Sequence, residues 1–279
     1  MSEEKKNYGL KIVPRDPLDY EHRLGSSLIH KVVRRPDGQW IHDLPEGEIQ
    51  KKNNVETVSC VSFGTLNIAE ILEKVKFGSV SDYSDRFLAI ASDTQSDGND
   101  PKKVSQTFRD AGAIPEETFP FSSDIKSFDA YHSPKPLPAK YKDAGKRWLE
   151  NYEVGYEWVK TEQETLMEEL QFGPVGIAVE AWKQDDKGLY YGGENPNHWT
   201  VLVGYIKDRH WIVYDSYHEI SGRFGSPYIK LLRWDYRFAF AMSYSLNKKE
   251  QSAQGKKNEG GLAYNIFALI RYWIREILK

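Results

Sequence analysis

The apolar residues of this chain change their spacing near its middle, and this change limits the folds open to it. Between residues 60 and 152 the apolar positions recur at helical spacing. From residue 175 to residue 246, short runs rich in Val, Ile, Tyr and Trp alternate with turn residues, a pattern typical of an antiparallel sheet. A helical half followed by a β half predicts an α+β fold with two lobes, and clefts between lobes are favoured active sites.

The first predicted helix begins at Cys60 and is apolar around most of its surface, as expected of a helix buried in a core. Further helices are predicted at 81–92, 102–112, 139–152 and 162–173. The predicted strands are 175–182, 198–206, 210–217, 226–234 and 239–246. These elements divide the central part of the chain into a helical lobe over 51–155 and a β lobe over 156–246.

The two ends of the chain differ from these lobes. Residues 1–50 are polar and contain several prolines, which predicts an extended arm with short strands such as 27–33. Residues 247–261 have almost no apolar content and predict a flexible linker. An amphipathic helix is predicted over 262–279, and it has three open roles: docking on the body, anchoring at a membrane surface, or binding a protein partner.

Charge and cysteine content exclude several classes of function. The formal net charge is -3 and the pI is near 6.2, so the chain has no basic field with which to bind nucleic acid. The single cysteine allows no intrachain disulfide and no cysteine-rich zinc site, and we expect neither a metal nor a cofactor. Without a secretory signal or a run of ~20 apolar residues, we expect a cytoplasmic protein, peripheral at a membrane if 262–279 anchors it.

Cys60 stands where a polar stretch gives way to the first predicted helix. The N-terminus of a helix lowers the pKa of a cysteine thiol and favours the nucleophilic thiolate. A lone cysteine flanked by Val and Phe is also typical of a buried structural residue, so a partner base must decide between the two interpretations. His198 precedes one predicted strand and Asp215 lies near the end of the next; if these strands pair, the carboxylate can orient the imidazole.

Five stretches of the chain form an ordered series of motifs: SCVSF, SDGNDPKKVSQTFRDAGAIPEETFPF, LQFGPVGIAVEAW, NPNHWTVLVGY and HWIVYDSYHEISGRFGSPYIKL. In this order they resemble the papain-like cysteine peptidases. SCVSF resembles the family's S-C-W-A-F at the head of its central helix, the second stretch its glycine-rich cleft turn and the helix after it, and the third its G-P-V strand. The last two resemble the N-H-A-V and N-S-W-G regions. The resemblance covers about residues 50–240. It implies a two-lobed fold with a helical left lobe, a central cysteine-bearing helix and an antiparallel, β-barrel-like right lobe.

The resemblance also implies roles for particular residues. Cys60 corresponds to the family's nucleophile, His198 to its base, and Asp215 to the asparagine that orients the histidine. The family's oxyanion-hole glutamine lies six positions before its cysteine, where this chain has the shorter Asn54; the Cys60 backbone N–H is the second donor. The residues that the resemblance places along the substrate cleft are Gly98, Asn99, Asn197 and Tyr217.

The leading hypothesis is a cysteine peptidase that hydrolyses polypeptides through an acyl-enzyme on Cys60. Two alternatives remain open. The first is a papain-fold binding or structural protein whose site is weakened by the changes at Asn54 and Asn99. The second is a Cys-His-Asp amidase or acyltransferase that acts on a non-protein acyl group.

Overall fold

The computed structural model of the chain describes residues 6–16, 19, 33–193, 195–218 and 226–249. The amphipathic helix expected over 262–279 lies outside these residues, as do most of the expected linker at 247–261 and most of the strand at 27–33. The interpretations of those segments therefore stay predictions. Within the described ranges, no helix has both the length and the apolar character needed to cross a membrane.

The helices of the described residues are α1 (Cys60–Phe77), α2 (Asp85–Ala91), α3 (Pro101–Ala111), α4 (Phe128–Tyr131), α5 (Ala139–Asn151) and α6 (Gln163–Glu169). Local sequence signals explain several of their ends. Ser84 caps α2 and Asp100 caps α3, each by accepting a hydrogen bond from a backbone N–H in the first turn. Pro101 is the first residue of α3, and Gly112, with a φ of 74°, ends it.

The strands of the described residues are β1 (Lys51–Lys52), β2 (Val55–Glu56), β3 (Tyr152–Val159), β4 (Val175–Val179), β5 (Lys183–Gln184), β6 (Tyr190–Tyr191), β7 (His198–Ile206), β8 (His210–Tyr214), β9 (Ile229–Arg233) and β10 (Ala241–Lys248). An eight-stranded sheet has the order β3-β10-β4-β7-β8-β9-β6-β5 and is antiparallel except between β6 and β9. The α+β architecture with a large antiparallel sheet confirms the predicted fold class. The end strands of this sheet, β3 and β5, do not pair, so the sheet formed by the described residues is open and not a closed barrel.

Strand β3 has no counterpart among the predicted elements. It pairs with β10 along its whole length, and the β half of the chain therefore begins at Tyr152, before the boundary expected at 156. Apolar and polar residues alternate from Tyr152 to Trp158, with Glu153 and Glu157 at polar positions. This period-2 pattern is typical of a strand, and the sequence analysis did not use it.

Helix α1 packs against the sheet around Trp199, the second residue of β7. The Trp199 indole is fully buried. A Cβ on Gly64 of α1 would approach this ring to 2.8 Å, and a Cβ on Gly176 of β4 would approach it to 2.4 Å, so both glycines are needed for the close fit. This packing holds the first turn of α1, which begins at Cys60, against the start of β7, where His198 lies.

A tight hairpin immediately precedes α1. Strands β1 and β2 pair antiparallel, with Lys52 opposite Val55, so that Asn53 and Asn54 form a two-residue turn. Their φ angles are 57° and 63°, the left-handed values of a type I′ turn, in which asparagine is favoured. The hairpin adds residues between Gln50 and the start of α1.

Candidate active site

Cys60 is the first residue of α1, and its side chain is fully buried. The backbone N–H of Trp199 donates a hydrogen bond to the Cys60 sulfur, so the thiol lies beside the start of β7. Burial raises the pKa of this thiol well above its ordinary value, outweighing that hydrogen bond, and the charges of Asp215 and Glu56 raise it further. The lowered pKa expected at a helix start is therefore wrong for this state, in which the thiol is neutral.

His198 and Asp215 meet where two neighbouring strands bring them together. His198 begins β7 and Asp215 directly follows β8, and these strands pair antiparallel. His198 Nε2 donates to Asp215 Oδ1 over 2.5 Å, and both side chains are fully buried. Since a carboxylate can only accept, it holds the imidazole proton on Nε2 and leaves Nδ1 with a lone pair. Nδ1 has no hydrogen-bond partner among the described residues.

Lys230, in β9, is a charged residue of this site that the sequence analysis does not anticipate. Its Nζ lies 2.8 Å from Asp215 Oδ2 and also donates to the backbone carbonyl of Tyr217. Burial alone would raise the pKa of the Asp215 carboxyl, but Lys230 and His198 outweigh it and hold that pKa at about 2. No group of three or more His, Cys, Asp or Glu residues in the described part of the chain is arranged to hold a metal ion.

Three aromatic rings surround His198. The ring centroids of Tyr8 and Tyr217 lie 5.4 Å from that of His198, and the centroid of Trp182 lies 5.6 Å from it. The structure thus brings Tyr217, one of the residues expected along the cleft, beside the histidine. Trp182 follows β4, and sequence reasoning gave it no role. Together these rings keep water away from the His198–Asp215 hydrogen bond, which strengthens it.

Residues 6–11, which we call the arm segment, lie across this site as extended main chain. Its backbone bonds are those of Tyr8 N–H to the Asn197 carbonyl (3.0 Å), Asn99 N–H to the Gly9 carbonyl (2.9 Å) and Lys11 N–H to the Asn99 carbonyl (2.9 Å). The side-chain amide of Asn197 donates to the carbonyl of Lys6 over 2.7 Å. Asn99 and Asn197, both expected along the cleft, therefore bind a peptide main chain in this structure.

The turn at Gly98 and Asn99 contacts the arm segment through its backbone. Gly98 has a φ of 95°, and a Cβ there would lie 2.1 Å from the Gly9 carbonyl oxygen, so both conformation and contact require glycine. The Asn99 side chain is buried, and it donates to the Ser92 carbonyl and to the hydroxyls of Ser92 and Thr94. Asn99 thus stabilises the turn from within, and its side chain leaves the backbone free to bind peptide.

Solved structures resemble the fold of this chain, although no protein-family model and no curated protein sequence matches it. Procathepsin L 3 from the larval midgut of Tenebrio molitor is 16% identical, with a TM-score of 0.58 over 86% of this chain and 76% of that chain. The proform of the ragweed pollen cysteine protease Amb a 11 is 17% identical, with a TM-score of 0.55 over 81% and 69%. Bromelain from Ananas comosus, in complex with the E64 inhibitor, is 16% identical, with a TM-score of 0.54 over 75% and 98%. The fold is papain-like.

The β1–β2 hairpin changes how Asn54 is interpreted. Asn54 lies in the turn between β1 and β2, its side chain is exposed, and its φ of 63° belongs to that turn. Cys60, in contrast, is fully buried. This placement corrects the oxyanion role expected for Asn54, because the hairpin carries the residue six positions before Cys60 away from the buried site and out to the surface.

Gln50 is the side-chain amide that the structure places beside Tyr8 and Tyr217. It is fully buried, and its Nε2 donates to the Tyr8 carbonyl (2.9 Å), to the Tyr217 hydroxyl (2.8 Å) and to Glu56 Oε1 (3.0 Å). Ser216 Oγ donates to its Oε1 over 2.8 Å, which fixes the orientation of the amide. Sequence reasoning missed Gln50 because it assumed a fixed spacing; the Asn-Asn pair at 53–54 was the signal that a hairpin had lengthened it.

Glu56 adds a negative charge near Cys60. The Tyr217 hydroxyl donates to Glu56 Oε1 over 2.6 Å, and Lys6 of the arm segment lies 3.8 Å from Glu56 Oε2. The same carboxylate contributes to the raised pKa of the Cys60 thiol. The arm segment therefore places the Tyr8 ring beside His198 and the Lys6 ammonium near Glu56.

Proposed function

We propose that this protein is a cysteine peptidase, with Cys60 as nucleophile, His198 as base and Asp215 as the residue that orients it. One observation carries the proposal: an extended peptide main chain, the arm segment, is hydrogen-bonded across the Cys60–His198 site. A cleft with that set of backbone contacts favours a polypeptide substrate. The papain-like fold, shared with proteins described as cysteine proteases, supports the same reaction class.

The proposed reaction begins when a substrate displaces the arm segment. The Cys60 sulfur attacks the carbonyl carbon of the peptide bond, a C–S bond forms, and the thiol proton passes to His198 Nδ1. The tetrahedral intermediate then loses the amine, which leaves with the proton from His198. Water attacks the thioester, His198 accepts a proton from that water and returns it to the sulfur, and the carboxylic acid product departs. Throughout, Asp215 holds the Nε2 proton and stabilises the imidazolium.

We assign the oxyanion hole to the Gln50 amide and the Cys60 backbone N–H, in place of Asn54. The Gln50 amide already donates to a peptide carbonyl, that of Tyr8, beside the site. Its orientation is fixed by Ser216 before any substrate binds, and preorganised donors of this kind stabilise the negative charge that develops on the substrate oxygen.

The raised pKa of the Cys60 thiol describes the covered state of the site. Burial is its largest cause, so departure of the arm segment and entry of water lower the pKa toward the range in which a thiolate forms. The same observation favours the second candidate function, a papain-fold protein that binds peptides without cleaving them. Such a protein would keep a neutral, unreactive thiol after the arm segment has left.

Labelling and cleavage together test the proposal. We expect E-64, the compound bound in the bromelain structure, to add to Cys60 of the full chain, as measured by intact-mass spectrometry. The adduct should be lost in Cys60→Ala and strongly slowed in His198→Ala, and a peptide library should be cleaved only by protein with Cys60 intact. An inert thiol would contradict the peptidase hypothesis and would favour a papain-fold protein that binds peptides without cleaving them. A reactive thiol without peptide cleavage would point to an amidase or acyltransferase.

A further inference from the structure

Lys230 and Asp215 form an ion pair in the interior of the protein. Lys230 has a relative exposure of 2%, and the Asp215 side chain is fully buried. The antiparallel pairing of β8 with β9 brings the two residues together, since the Asp215 N–H donates to the Tyr228 carbonyl at the end of this ladder. A charge this deeply buried destabilises the folded protein unless it is paired. Each of the two residues therefore needs the other as its counter-charge.

The Asp215 carboxylate divides its two oxygens between two partners. Oδ1 accepts the proton of His198 Nε2, and Oδ2 lies 2.8 Å from Lys230 Nζ. Lys230 is held in turn by the Tyr217 carbonyl, and its ammonium lies over the Trp182 ring at 5.4 Å. Rotation of the carboxylate away from the histidine would break the contact with Lys230 as well, so the lysine limits that rotation.

We propose that Lys230 is a positioning residue for the catalytic histidine: it fixes the Asp215 carboxylate against His198 and balances its charge. The resemblance to the papain-like peptidases places a neutral asparagine where this chain has Asp215. Because the Asp215–Lys230 pair is also neutral as a whole, it can take the place of that asparagine. This inference rests on the proposed function. Lys230 acts through Asp215 and touches neither the nucleophile nor the arm segment in any described contact.

The charges around this pair set the direction of its effect. The titratable groups that face or act on Asp215 and Cys60 are His198 of β7, Lys230 of β9, Tyr8 of the arm segment, Tyr217 of the loop after β8, and Glu56 of β2, which is itself near Lys6. Without Lys230, only a protonated His198 among the described residues that act on Asp215 could balance its charge. Removal of Lys230 is therefore expected to favour the protonated imidazole beside the carboxylate.

The test measures the rate of Cys60 alkylation by iodoacetamide as a function of pH, in the full chain, in three test variants and in one control variant. In Lys230→Met we expect the alkaline limb of the profile to move upward by about one pH unit. We also expect peptide kcat to fall on the order of tenfold.

Asp215→Asn should be impaired because it leaves Lys230 buried without a counter-charge. The double variant D215N/K230M removes both charges, and we expect it to exceed either single variant in kcat and to recover the original profile. Lys207→Met, an exposed lysine in the turn after β7, is the matched control.

Several outcomes would overturn the inference. A folded Lys230→Met protein with an unmoved pH profile shows that the lysine is merely structural, and so does a double variant no better than the worse single variant. If Lys230→Met does not fold, the double variant decides: recovery of thermal stability supports charge balance, and continued unfolding contradicts it. Alkylation needs no peptide substrate. If the alkylation profile shifts but neither the full chain nor any variant cleaves peptides, the proposed function is contradicted and the positioning role of Lys230 is supported.

Discussion

The side-chain amide of Gln50 donates to the peptide carbonyl of Tyr8, and in the proposed reaction it would donate to the substrate oxygen in the same way. We expect Gln50→Ala to lower kcat/KM for a fluorogenic peptide by about 10²–10³-fold, since one preorganised donor is lost. Asn54→Gly is the matched control. Glycine adopts the φ of 63° found at this position, so the hairpin is preserved and activity should be unchanged.

Thermal unfolding of both variants separates this effect from a loss of folded protein. Gln50 also accepts from Ser216 and donates to Glu56 and Tyr217, so Gln50→Glu, which retains the acceptor but removes the donor, is a second variant. Full activity in Gln50→Ala combined with a large loss in Asn54→Gly would return the oxyanion role to Asn54.

At the scale of single residues, what could be predicted depended on the length of the neighbouring element. Cys60 begins α1, His198 begins β7 and Asp215 directly follows β8, and these elements are patterned strongly enough for the sequence to predict them. Gln50 precedes strands of two residues, which are too short to show periodicity. Lys230 lies inside a buried strand, IKLLR; a lysine in such a run is a signal for a buried counter-charge that the sequence analysis did not use.

At the scale of elements, periodicity and capping residues identified the longer helices and most of the longer strands, whereas the two-residue strands of the β1–β2 hairpin needed the tertiary structure. The position of the arm segment could not be predicted either. Its backbone bonds join residues far apart in the chain, such as Tyr8 with Asn197 and Lys11 with Asn99, and no local pattern specifies them. Polar, proline-containing sequence predicts an extended conformation but not the surface that it covers.

Gly9 allows a sharp test of the arm segment. Its φ is 112°, and a Cβ at this position would lie 2.2 Å from the Val58 carbonyl oxygen, so alanine does not fit in the cleft. We expect Gly9→Ala to displace the arm segment and to accelerate alkylation of Cys60 and peptide cleavage severalfold, measured under identical conditions. Ile12→Ala, at a residue that is 57% exposed just beyond the segment, is the control and should leave both rates unchanged. Unaltered alkylation in Gly9→Ala would show that the arm segment does not limit access to the thiol.

At the scale of the whole molecule, the fold holds a cavity of about 240 Å³ whose lining includes three carboxyl groups, those of Glu48, Asp85 and Glu116. Burial raises the pKa of Glu116 to about 7 from an ordinary 4.5, against a hydrogen bond from the Phe121 N–H, and the charge of Glu48 adds to the rise. Burial also raises the pKa of Asp85 well above its ordinary value. Lys52 and Arg86 line the same cavity.

These raised pKa values predict how stability depends on pH. Between pH 4.5 and about 7 the folded protein keeps a proton on Glu116 that the unfolded chain has lost, so the free energy of unfolding falls as pH rises through this window. The lowered pKa of Asp215 acts elsewhere, because its contribution is lost only as pH falls from 3.8 toward 2. We expect the Tm, measured across this range, to fall by a few degrees, and Glu116→Gln to flatten the slope, since the amide keeps an acceptor for the Phe121 N–H. Glu117→Gln, at the exposed neighbouring residue, should retain the slope. A Tm that rises with pH, or a slope unchanged in Glu116→Gln, would show that the buried carboxyl groups are ionised in the folded protein.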